Sequence, residues 1–189
     1  MAEESYSRDY VKNLTEPTEK FLCPISANEH KVQFLTFRIR DLDKEKIIFE
    51  VVRDAESDDD LIFDDSLFEP EQLHELRSIK YDMSREFLDI KTIGTFLEFK
   101  VGDDKCMKNF TMIERHYYKK KLIKSYEFTF PFCIPGSINT WENIYEMPEL
   151  TEEVKLDMIA NPMGTETDSF YFVGDSLIMH NKAYFSYVN

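Results

Sequence analysis

Polar and apolar positions alternate along most of residues 110–134. Phe110, Met112, Glu114, His116 and Tyr118 take the even positions, and Thr111, Ile113, Arg115 and Tyr117 the odd ones. A two-residue period marks a β-strand, whose successive side chains point to opposite faces. Further on, Tyr126, Phe128, Phe130 and Phe132 share one face, with Glu127 and Thr129 on the other. The polar run Lys119, Lys120, Lys121 separates the two halves. The stretch therefore predicts a long antiparallel hairpin with one aromatic face. Glu114 and His116 share the face of Phe110 and Met112, and a carboxylate placed there needs a partner or a use.

The rest of the chain carries the same kind of pattern. Residues 31–40 predict a first strand in which Val32 and Phe34 have one parity and Leu35, Phe37 and Ile39 the other. The switch predicts a β-bulge that lets Phe34 and Phe37 point the same way. A turn at 41–44 leads to a second, antiparallel strand over 47–52. Residues 54–69 are strongly acidic and read as a loop or insertion with no assigned role. Pro70 opens a helical turn over 70–76. A third strand region follows over 78–88, then a turn at Ile93, Gly94 and Thr95, an alternating strand over 96–101, and a turn at 102–105. Residues 141–147 predict a short strand. Residues 151–159 predict a helix, with Thr151 as N-cap, acidic residues in its first turn and Pro162 beyond its end. Val154 and Met158, four apart, would face a sheet. Residues 168–173 and 177–187 close the chain as a hairpin around Gly174 and Asp175. Residues 1–20 read as a polar tail with a frail helix over 7–14, and 21–189 as the domain. About eight or nine closely spaced strands with one short helix predict an all-β sandwich or barrel.

Composition narrows the function. A chain of 189 residues with 42% hydrophobic content builds one globular domain with a real core. Its 16 Phe and 10 Tyr suit strands and also line apolar cavities. Only 5 Gly leave little material for a phosphate-cradling loop. A net charge of -14 disfavours nucleic acid and anionic membrane surfaces. The three cysteines show no C-x-x-C spacing, which argues against a disulfide framework or zinc site and for a reducing compartment. No signal peptide or membrane-length run is visible, and with Ala at position 2 the chain is not itself expected to be N-myristoylated. The motifs G-x-x-x-x-G-K, G-x-S-x-G and H-E-x-x-H are absent, and the 4 His show no ligand spacing. A hydrolase constellation of Ser169, His116 and Glu114 can be drawn, but nothing places Ser169 on a strained turn. The plainer reading is a core histidine held by a neighbour. Neither enzymatic activity nor a metal or cofactor is expected. The aromatic faces either fill the slab of about 10 Å between two sheets or leave it open to an apolar ligand. Composition keeps both possibilities open.

Longer motifs carry a resemblance. FTMIERHYY at 110–118, FCIP at 132–135, DSFYFV at 168–173 and MHNKA at 179–183 resemble the phosphodiesterase delta-subunit superfamily of lipid-binding chaperones. Within it they resemble the acyl-binding "uncoordinated" branch, as do IRDL at 39–42 and VGD at 101–103. The resemblance spans residues 21–187. It implies an immunoglobulin-like β-sandwich with an apolar cavity between its sheets. It implies a carrier that sequesters the N-terminal myristoyl group of cargo proteins and delivers them to membranes, ciliary ones among them. An Arf-like small GTPase in its GTP state would release the cargo. Carried over by position, the lipid would meet Phe34, Phe37, Tyr81, Phe87, Tyr126, Phe128, Tyr145, Met147 and Tyr171. Glu114, His116 and Ser169 would meet the first peptide units of the cargo, with Glu114 accepting hydrogen bonds from its amides. Tyr126 and Met147 stand where the branch has Phe, adding a hydroxyl in need of a partner and a softer wall. The resemblance further implies a cytoplasmic and ciliary protein, taken as a monomer, without nucleic-acid partners or stable membrane insertion. A prenyl carrier of the same fold and a solid-cored adaptor that binds through its surface are the alternatives.

Overall fold

A computed structural model describes residues 6–53 and 65–188. In chain order its strands are β1 (Gln33–Asp41), β2 (Lys46–Val52), β3 (Ser78–Ser84), β4 (Thr92–Lys100), β5 (Met107–Tyr118), β6 (Lys121–Cys133), β7 (Ile138–Glu146), β8 (Thr165–Val173) and β9 (Ser176–Val188). They form a four-stranded sheet in the order β2-β1-β4-β7 and a five-stranded sheet in the order β3-β9-β8-β5-β6. Every pairing is antiparallel except β3 with β9. The two sheets pack face to face as the immunoglobulin-like sandwich that the family resemblance implies. The helices are α1 (Arg8–Lys12), α2 (Pro70–Leu76) and α3 (Glu152–Ala160). Most of the acidic stretch at 54–69 lies outside the described residues.

The opening hairpin forms as the alternation demands. β5 and β6 are joined at Lys119 and Lys120, both with positive φ, the conformation of a tight two-residue hairpin turn. The register of β1 against β4 shifts between Phe34 and Thr36, which is the predicted bulge. In α3, Thr151 caps the helix by accepting from the Val154 amide, and Met158 is buried.

The turn predicted at Ile93, Gly94 and Thr95 does not exist. β4 runs unbroken through it, with Gly94 paired to Arg40 on one side and Ile144 on the other. Gly94 answers a close approach instead, because a Cβ there would lie 2.8 Å from the Leu42 side chain. The third strand region also divides, with β3 ending at Ser84 and a 3₁₀ turn occupying Arg85–Asp89.

Two hydrophobic clusters result. The larger lies between the sheets and includes Ile39, Leu97, Phe99, Phe110, Trp141 and Tyr171. The smaller lies on the outer face of the five-stranded sheet, where Val11 and Leu22 cover Ile113, Phe170, Phe172 and Leu177. The residues read as a polar tail thus supply a fully buried Val11. Charged side chains of the sheet grip the backbone of this strap. Arg115 donates to the carbonyls of Lys12 and Leu14. Asp168 accepts from the Thr18 amide at 2.9 Å, and the Lys182 ammonium donates to the Thr18 carbonyl at 2.6 Å and to Asp168 at 2.5 Å. The Leu22 amide donates to His180 Nδ1 at 3.0 Å. Since Nδ1 accepts, the ring is neutral and its proton sits on Nε2, which donates to Asp168 at 3.0 Å. The strap buries the outer face of β5 and β8, where apolar Ile113, Phe170 and Phe172 stand beside the charged Arg115 and Asp168.

Candidate functional site

Register organises the space between the sheets. Residues paired across neighbouring strands project to the same face, so the inner face of the five-stranded sheet is built in rows. Phe128, Met112, Tyr171 and Met179 make one row. The next is Tyr126, Glu114, Ser169 and Asn181, and the next brings His116 beside Thr167 and Ala183. A further row sets Tyr118, Thr165, Phe185 and Tyr81 in line. A polar band therefore crosses an otherwise apolar wall.

Above these rows lies a cavity of about 480 Å³, within the roughly 300–1,000 Å³ of small-molecule sites. Phe34, Phe37, Ile39, Thr95, Leu97 and Tyr145 line it from the four-stranded sheet, facing Met112, Tyr171 and Phe185. At one end Phe99, Phe110, Phe130 and Trp141 interlock, with ring centroids 5.4 to 6.5 Å apart, and the cavity does not extend among them. Elsewhere Phe87, Met147, Leu150 and Met158 border the cavity. Val51 on β2 and Ile79 on β3 also line it while about half exposed (54% and 51%), so the cavity reaches the surface between these two edge strands.

Glu114 is the electrostatic centre. One carboxylate oxygen lies 2.7 Å from His116 Nε2, and the other accepts from the Tyr145 hydroxyl of the opposite sheet at 2.9 Å. Burial first and the Glu114 charge second raise the pKa values of Tyr81, Tyr145 and Tyr171, keeping these phenols protonated as donors. A carboxylate has about four acceptor positions and these bonds use two, leaving capacity for a ligand N–H.

Of the residues assigned to the lipid by resemblance, Phe34, Phe37, Tyr81, Phe87, Tyr145, Met147 and Tyr171 line the cavity. Tyr126 and Phe128 are absent from its wall. They sit behind Tyr145, with ring centroids 4.6 and 4.9 Å from it, and the Tyr126 hydroxyl donates to the Glu146 carbonyl at 2.8 Å. Glu114, His116 and Ser169 all reach the cavity. Ser169 stands in the middle of a regular strand rather than on a strained turn, and among the described residues no hydrogen bond joins it to His116, so the Ser169, His116 and Glu114 constellation is not assembled as a nucleophile and its base. Thr95, Thr167 and Asn181 also line the space and escaped the sequence reading. The period-two pattern Ile93, Thr95, Leu97, Phe99 held the signal for Thr95, but a glycine read as a turn concealed it. Among the described residues no group of three His, Cys, Asp or Glu converges as a metal site. Nor is any helix long and apolar enough to cross a membrane.

Comparison with known proteins gives a consistent set of relatives. A family model described as "GMP-PDE, delta subunit" matches residues 26–187. Protein unc-119 of Caenorhabditis briggsae is 46% identical over 170 residues, covering 90% of this chain and 74% of its own length. Protein unc-119 homolog B of Homo sapiens is 42% identical over 179 residues, covering 95% and 70%. The unc-119 homolog of Drosophila melanogaster is 38% identical over 194 residues, covering 97% and 73%.

Proposed function

Because the chain belongs to the GMP-PDE delta-subunit family of lipid-binding carriers, we propose that it is a transport chaperone for N-myristoylated proteins. The acyl chain enters the cavity between the sheets, and the first peptide units of the cargo meet Glu114, His116 and Ser169. The observation that carries this reading is an apolar cavity of about 480 Å³ crossed by one polar band. Burying a 14-carbon chain contributes on the order of 10 kcal/mol before the costs of association. A single myristoyl group holds a membrane only marginally, so such a carrier competes for singly acylated cargo and fails with doubly anchored cargo. Delivery is to ciliary membranes, from a cytoplasmic monomer, with release by an Arf-like small GTPase in its GTP state. The test is the affinity of a myristoylated N-terminal peptide against the same peptide without the lipid. Strong binding of the first alone supports the proposal, and equal affinity for both refutes it.

A prenyl carrier is the second reading. Glu114 speaks against it, because a prenyl thioether offers no N–H to the acceptor positions this carboxylate keeps open. Competition between myristoyl and farnesyl peptides decides, and preference for farnesyl reverses the assignment. A solid-cored adaptor would have these aromatics filling the space that the cavity occupies.

A further inference from the structure

A pocket for an acyl chain must deal with the free fatty acid of the same length, which differs only at its head. That head is a carboxylate, and burying one demands a cation or a set of donors. The charged and titratable groups that border this cavity, among the described residues, are Glu114, His116 and Lys182, with the phenols around them. Lys182 is unavailable. Its ammonium turns to the outer face of the sheet, 2.5 Å from Asp168 and 2.6 Å from the Thr18 carbonyl. His116 Nε2 is engaged at 2.7 Å by Glu114. Tyr145 donates a hydrogen bond to the same carboxylate. The cavity therefore offers neutral donors, among them the Tyr81 and Tyr171 phenols, Ser169 and Asn181, but no unpaired cation to offset a second negative charge, and its central ionisable group is itself a carboxylate.

On the carrier function proposed above, we infer that Glu114 is a specificity determinant that admits acyl chains with a neutral, N–H-bearing amide head and excludes free fatty acids. The row carrying Glu114, Ser169 and Asn181 lies against the row of Met112 and Tyr171, so a head group at this band leaves its chain among apolar neighbours. An amide there donates its N–H to the open acceptor positions of Glu114. A fatty-acid head there brings a second negative charge against a carboxylate whose side chain is only 16% exposed. Like charges about 4 Å apart at an effective dielectric near 20 cost about three orders of magnitude in affinity. Retreat of the head to the exposed rim between β2 and β3 removes the repulsion but draws chain out of the cavity. The two routes together set an expected preference for the amide of about 100-fold or more.

The experiment displaces a fluorescent acyl probe from the full chain with three ligands of identical chain length: N-myristoylglycinamide, methyl myristate and myristate. The expected order in the wild-type protein is amide tightest, ester next and the anion weakest. Glu114→Gln removes the charge and keeps the shape, leaving an amide oxygen for Tyr145. It should raise myristate affinity about tenfold or more and lower that of the amide, at a melting temperature checked to show folding. Myristate binding as tightly as the ester in the wild type refutes the inference without recourse to any variant. So does tight amide binding with no gain for myristate in Glu114→Gln. If the wild type binds none of the three, the carrier function fails and the inference fails with it.

Discussion

Replacing Asp168 by Asn keeps the side chain's shape and removes its charge. Asp168 is fully buried and accepts from the Lys182 ammonium, from His180 Nε2 and from both the amide and the hydroxyl of Thr18. Burial alone would raise its pKa, but the bonds from His180 and the charge of Lys182 outweigh that and hold it below the usual carboxylate range. Without the charge, a Lys182 ammonium only 4% exposed loses its counter-ion. Breaking a buried pair from one side costs about 3–5 kcal/mol. At roughly 2–4 °C per kcal/mol for a domain of this size, the melting temperature should fall by roughly 6–20 °C. Calorimetry or urea titration measures the loss, and a double-mutant cycle identifies its origin. Lys182→Met should also destabilise, because it strands the Asp168 charge, while Asp168→Asn with Lys182→Met should recover much of the loss. A single-variant loss below about 1 kcal/mol, or strictly additive losses in the cycle, would refute the role assigned to this pair.

Two further predictions use opposite faces of the same sheet. His180 is neutral in the fold, and burial holds its pKa below that of a free imidazole despite the opposing pull of Asp168. A depressed folded pKa gives stability that is complete above the unfolded value of about 6.5 and lost as pH falls below it, and the lowered pKa of Asp168 extends that loss to more acid pH. The melting temperature should therefore decline on acidification from about pH 6.5, and a profile flat between pH 7 and pH 5 contradicts the assignment. On the cavity face, Ala183→Phe puts a ring into the space beside Thr167. Displacing three or four methylenes of a bound chain at about 0.8 kcal/mol each weakens acyl-peptide binding roughly 100-fold. Unchanged affinity, measured by titration on a variant that melts normally, would remove the chain from this part of the cavity.

The legibility of each element followed from how much of its environment was local. β5 and β6 were readable because period and turn are properties of adjacent residues, and the bulge at Phe34 was readable because a parity switch has no other cheap solution. Gly94 misled because a glycine serves equally for a turn and for a close approach. The partner in that approach, Leu42, is 52 positions away in the chain, beyond any local pattern. The family resemblance assigns Tyr126 and Phe128 to the cavity, and their parity matches an inward face. Whether an inward ring touches the cavity or its backing depends on which residue of the other sheet stands in front, and here that is Tyr145.

The strap shows the same limit more sharply. Residues 8–22 have too few apolar positions to announce a buried segment, and their docking relies on backbone groups that every sequence possesses. The signal lay in their partners: Arg115, Asp168, His180 and Lys182 occupy the outward positions of central strands, where a sandwich that exposes its outer face needs no such buried charges. Alternation along β5 therefore serves two surfaces at once. Met112, Glu114 and His116 face the cavity, while Ile113, Arg115 and Tyr117 are buried on the other side. Because these two sets share one backbone, the strap's grip on the outer set also fixes where the inner set stands. Glu114 and Ser169 are directly paired, each one residue from a strap anchor, Arg115 or Asp168. The carboxylate's placement between His116 and Tyr145 is thus supported from behind by side chains that no ligand in the cavity touches.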